Sequence, residues 1–137
     1  MPNPLVPASP DLLSPWADLL AAEMPGVDLG TKRPSTVENL SRPFVRLLNL
    51  GGPWRYHQFW YPRLLTETYA LDKLEARSLD ATVARVTASL AGTGGRPDGQ
   101  PGFYITASEL DSQGADSEVD GLPVVLTQAL LCVQVYP

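Results

Sequence analysis

The sequence predicts an α+β fold, a small mixed or antiparallel β-sheet with two helices packed on one face, in the order α-β-β-β-α-β-β. Apolar residues recur at helical spacing in two separate stretches, one near the N-terminus and one in mid-chain. Alternating, β-prone runs lie on both sides of the second stretch. The 14 prolines and 11 glycines among 137 residues favour short elements joined by ordered turns. With 44% hydrophobic and 18% charged residues, residues 1–137 have the composition of a single domain with one core.

The Pro-rich residues 1–9 are expected to form a loose arm. Ser9-Pro10-Asp11 resembles a helix start, and Leu12, Leu13, Trp16, Leu19, Leu20 and Met24 then follow at helical spacing up to Pro25-Gly26. Pro15 interrupts this run, so the preferred start is Ser14 as cap with Pro15 as the first helical residue. Residues 27–31 form a short strand and 34–43 a loop. A strand over 44–49 is stopped by Gly51-Gly52-Pro53. A strand over 63–71 places Leu65, Glu67 and Tyr69 on one face and Leu64, Thr66 and Thr68 on the other.

From 72 to 91 the period changes to helical. Leu79, Val83, Val86 and Leu90 form the core face, while Lys73, Glu75, Arg77, Asp80 and Arg85 fall largely elsewhere. Gly92-Thr93-Gly94-Gly95 ends the helix and opens a flexible loop over 92–101. A strand over 103–109 leads to a polar, acidic segment, 110–121, expected as a flexible turn. The last strand, 122–136, turns Val125, Ala129, Leu131, Val133 and Val135 to one face. Its other face carries Gln128, Leu130, Cys132, Gln134 and Tyr136, apolar enough to suggest a cover or a partner.

No apolar run approaches the roughly 20 residues that span a bilayer, so no membrane partner is expected. The first residues lack the basic and apolar regions of a signal peptide, and the single cysteine excludes an internal disulfide, which fits a cytosolic, reducing origin. The net charge is −5, but residues 32–96 hold all ten basic residues against five acids, and the flanks hold only acids. An acidic chain is a poor candidate for gripping a phosphate backbone. The segregation either draws neighbouring copies together, basic face to acidic face, or reflects ordinary surface variation.

No catalytic, cofactor-binding or metal site is expected. His57 is the only histidine and Cys132 the only cysteine, so paired nucleophiles and multi-histidine metal sites have little to be built from. The informative local feature is an aromatic cluster. Trp54, Tyr56, Phe59, Trp60 and Tyr61 are five aromatics within eight residues, beside Arg55. They can serve as core, as a base-stacking platform or as a protein–protein contact, since Trp, Tyr and Arg are enriched at interface hot spots. Core combined with interface is preferred, and Trp54, Arg55, Tyr56, Phe59, Trp60 and Tyr61 are the candidate interface residues.

Residues 42–53, Arg-Pro-Phe-Val-Arg-Leu-Leu-Asn-Leu-Gly-Gly-Pro, followed by a strand and the helix 72–91, resemble the tail-terminator (tail-completion) proteins of long-tailed phages of actinobacteria. Residues 25–31, Pro-Gly-Val-Asp-Leu-Gly-Thr, resemble their first strand, and the similarity in element order covers roughly 11–136. Members of that family often carry a polar segment after Gly-Gly-Pro, where this chain has aromatics.

The resemblance implies a structural virion protein without cofactors, made in the host cytoplasm and located in the tail or neck. It would form a homo-oligomeric, usually hexameric ring at the head-proximal end of the tail tube, stopping polymerisation and meeting the tube and the head–tail connector. DNA would only pass through the ring, along an acidic bore, without being read. Three alternatives stay open: another connector or minor tail protein, a small-ligand-binding or enzymatic domain using residues 54–61 as a pocket wall, or an intracellular adaptor unrelated to phages.

Overall fold

The computed structural model describes residues 9–34, 40, 42–96, 102–119 and 121–136. The expected arm except Ser9, most of the loop over 34–43 and the second half of 92–101 lie outside the described residues.

Helix α1 (Leu13–Glu23) begins one residue before the expected cap. Asp11 holds its start: the Leu13 and Ser14 N–H groups donate to Asp11 Oδ1 at 3.0 and 3.3 Å, and Ser14 Oγ donates to Oδ2 at 2.6 Å. A carboxylate at the positive end of the helix is favoured over a hydroxyl on charge, and Pro15 still sits in the first turn, where no N–H bond is lost. The hydrogen bond from the Ser14 hydroxyl holds the Asp11 carboxyl below its usual range.

The strands that follow are β1 (Asp28–Gly30), β2 (Phe44–Gly51), β3 (Trp54–Arg55), β4 (Phe59–Trp60) and β5 (Arg63–Tyr69). Helix α2 (Lys73–Ala88) comes next, capped by Asp72, whose carboxylate accepts the Leu74 N–H at 2.7 Å. Strands β6 (Gly94–Gly95), β7 (Gly102–Val119) and β8 (Leu122–Tyr136) complete the chain. The fold is α+β, with two helices and a mixed, strongly curled eight-stranded sheet against which α2 packs at β7 and β8. Strand β1 runs parallel to β2, and every other pairing is antiparallel. Strand β8 is the organiser: it pairs with β5 and then β4 on one side, and with β7 on the other.

Both helices close one core. Trp16 and Leu20 of α1 and Val83 and Val86 of α2 meet Val45, Leu47, Leu64, Ala129, Leu131, Val133 and Val135 of the sheet. Trp16 Nε1 donates to Thr87 Oγ1 at 3.0 Å, so burial of the indole leaves no orphan donor between the helices. The face assignments for residues 63–69 and for β8 agree with the sequence pattern. Leu64, Thr66 and Thr68 are buried on the helix side with Val125, Ala129 and Leu131.

Three expectations are corrected. Residues 110–119 are strand, not turn: β7 continues to Val119, paired with β8 through three register shifts and a positive φ of 73° at Gly114. These polar side chains stay exposed, so pairing with the apolar partner strand overrides their weak β-propensity. Residues 54–60 supply an extra hairpin, β3–β4. Asp80 lies inside, 2% exposed, with both carboxylate oxygens 2.8 Å from Thr127 Oγ1. It follows Ala76 by one turn and precedes Ala84 by one turn on the buried stripe of α2, and a hydroxyl on β8 gives it a partner.

The segregated charges of the sequence largely meet within the chain. Glu23, Asp28 and Asp111 pair with Arg85, Arg42 and Arg63, and Asp116 pairs with Lys73 and Arg77.

Candidate functional site

The aromatic segment is an anchored hairpin inserted between β2 and β5. Its base depends on Gly51-Gly52-Pro53. Gly51 has φ +70° beside the register shift at the end of β2, and the Gly51 N–H donates to Asn49 Oδ1 at 2.8 Å. At Gly52 a Cβ would stand 1.8 Å from the Tyr61 carbonyl oxygen, so only glycine lets the two chain segments cross. Pro53 O accepts the Tyr61 N–H at 2.9 Å and closes the base.

Alternation then divides the side chains. Trp54 and Trp60 are cross-strand partners on the inner face, stacked with ring centroids 5.7 Å apart and planes inclined by 14°. Trp60 is opposite Val133 and only 3% exposed, so it belongs to the core, while Trp54 covers it half-buried. Phe59 and Tyr61 lie on the other face, half-buried, with Phe59 opposite Gln134. The Arg55 guanidinium lies over the Tyr61 ring at 5.3 Å. The Cys132 thiol beside it pushes the Tyr61 phenol's pKa up. Hydrogen bonds from Val135 N–H to Gln58 O (2.8 Å) and from Leu131 N–H to Pro62 O (3.0 Å) fasten the hairpin to β8.

The tip is strained. Gln58 N–H donates to Arg55 O at 3.3 Å, closing a turn whose central residues, Tyr56 and His57, have φ of 57° and 56°. Two positive φ values in succession are the pattern of a type I′ turn, normally served by Asn-Gly, and side chains such as these pay about 1–2 kcal/mol each for it. Tyr56 is 85% exposed at this tip. The six candidate residues therefore divide: Trp60 is core, Trp54, Phe59 and Tyr61 are half-buried supports, and Arg55 and Tyr56 are surface.

A second polar constellation, which sequence patterning left unpaired, lies on the face of β2 and β5 away from the helices. Glu67 accepts hydrogen bonds from Tyr69 Oη (2.8 Å), Arg46 Nη1 (3.1 Å) and Arg33 Nη2 (3.4 Å), and Arg33 Nε donates to Tyr69 Oη at 3.1 Å. Burial pushes the Glu67 carboxyl up, but the three donors outweigh it and hold the group below its usual range. Burial, then the neighbouring carboxylate, pushes Tyr69 up to about 12. The cross-strand register of Arg46 with Glu67 was the available signal for this cluster.

Clefts open at three places on the described surface. One of about 330 Å³ lies between Lys73 and the β7–β8 turn. A second lies beside Leu40, Pro43 and Leu71. A third, of about 170 Å³, lies between α1 and the β1–β2 edge. None of these three is lined by the hairpin aromatics. Among the described residues no helix is long and apolar enough to cross a membrane. No protein-family model matches the chain, and no curated protein sequence matches it.

Proposed function

We propose that this chain is a non-enzymatic structural virion protein, a tail terminator that assembles with copies of itself into a ring at the head-proximal end of a phage tail tube. The observation that carries the reading is the hairpin tip: an exposed tyrosine held on a strained turn by a buried tryptophan anchor and hydrogen bonds to β8. Strain of this kind persists where the surrounding structure over-determines it, and it concentrates at functional contacts. A rigid, amphipathic aromatic beside an arginine suits a protein–protein contact. The resemblance of residues 42–53 to tail terminators then supplies the class of assembly. In that reading the Gly-Gly-Pro junction has a mechanical role: it launches the contact hairpin from the end of β2.

Copies would meet through two different surfaces, and such a heterologous interface closes into a ring when its rotation permits. The test is a capping experiment with tail-tube subunits of the same phage. Tubes polymerised with the chain present are expected to stop short and to carry a ring at one end in electron micrographs. Tubes of unchanged length with bare ends would overturn the proposal.

A further inference from the structure

We infer that Tyr56 of one copy docks into the groove between α1 and the β1–β2 edge of a second copy, with Arg55 placed against Asp18 of α1. This rests on the ring reading above and names the two surfaces that such a ring would join.

The groove is lined by Leu13, Ser14 and Ala17 of α1 and by Leu29, Gly30 and Leu47 of the sheet. Its lining is mainly apolar, and its volume of about 170 Å³ is close to the ~150 Å³ of an apolar cavity that takes up benzene, so it has room for one phenol ring. Tyr56, 85% exposed, is the most exposed large hydrophobic side chain among the described residues.

Charge complementarity selects this occupant. Of the acids near the groove, Asp11 is occupied in capping α1 and Asp28 is paired with Arg42, while Asp18, next to Ala17, is exposed. Residues 1–31 contain no lysine or arginine, and Asp18 makes no ion pair among the described residues. The tip contributes Arg55 and no acid. Knob and groove lie on separate surfaces of one chain, so their contact is head-to-tail between copies. The phenol supplies the apolar burial, and the arginine supplies direction by opposing Asp18.

The contact is tested on the full chain with Cys132 replaced by serine. Chains carrying Tyr56→Cys are mixed with chains carrying Ala17→Cys, oxidised, and resolved without reductant. The mixed disulfide is expected to exceed either homodimer by about tenfold, as a central contact requires. Arg55→Glu and Asp18→Arg should each weaken association several-fold, and their combination should recover it. Light scattering on the wild-type chain separates the failures. An oligomer without the mixed disulfide overturns this contact and leaves the ring standing. A chain monomeric up to millimolar concentration overturns both.

Discussion

The indole of Trp54 lies flat on that of Trp60, with centroids 5.7 Å apart, yet the two rings have different surroundings. Trp60 is sealed into the core against β8, and Trp54 is its half-buried lid. The pair transmits the rigidity of the core to a hairpin whose tip stands in solvent.

Trp60→Ala should therefore cost about 3–5 kcal/mol of stability, as large-to-small changes of buried aromatics do. Trp54→Ala, which keeps the core residue and removes the lid, should cost about 1–2 kcal/mol from its smaller buried area. Denaturant unfolding of both variants checks the order. Equal losses would contradict the division of the pair into core and cover.

The adjacent glycines fail for different reasons. Gly52→Ala forces a Cβ to 1.8 Å from the Tyr61 carbonyl and should open the hairpin base, at a cost above 3 kcal/mol or so. Gly51→Ala meets no atom within 4 Å and has only its φ of +70° to bear, about 1 kcal/mol. Thermal melts of the two variants should differ by well over the error of the measurement.

Asp80 opposes stability as pH rises. Burial pushes its carboxyl up, only partly offset by the Thr127 hydroxyl, so the folded chain binds this proton more tightly than the unfolded one. Its favourable contribution is full below the unfolded pKa and is lost as pH rises through the folded value. One hydroxyl proton cannot serve both oxygens at 2.8 Å, whereas a neutral carboxyl can donate and accept there. Asp80→Asn should match the wild type in acid and become the more stable chain above the carboxylate range. A stability gap that does not grow with pH would contradict this.

Glu67 has the opposite sign. Its folded pKa lies below the unfolded one, so its contribution is present above the unfolded value and is lost as pH falls through the folded value. Glu67→Gln should cost about 1–2 kcal/mol near neutrality, the scale of charge-assisted hydrogen bonds discounted for the solvent-screened Arg33 arm. The cost should shrink in acid, as urea titrations at two pH values would show.

Much of the fold was legible in the sequence because its long elements carry clean periods. The 3.6-residue stripe of Leu79, Val83, Val86 and Leu90 and the alternation of Val125 to Val135 each determine a buried face. The remaining elements take their structure from partners distant in sequence. Residues 110–119 have no intrinsic strand signal and are strand because β8 pairs with them. The tip at Tyr56-His57 lacks the Asn-Gly that marks a type I′ turn, so its conformation is imposed by anchors on β8. Asp80 looked like a solvent residue because its partner, Thr127, lies 47 positions away. The aromatic cluster was visible as a feature, but its division into core and surface depends on the register of Trp60 with Val133.

The central claim, that the strained tip is kept for assembly, is tested most directly by Tyr56→Asn/His57→Gly. These residues fit positive φ, so the variant should be more stable than the wild type by about 1–2 kcal/mol. The measurement is the light-scattering mass of both chains at matched concentration. The wild type is expected at the mass of a closed ring, and the more stable variant should fall towards the monomer. A variant that gains stability and assembles as fully as the wild type would contradict the account.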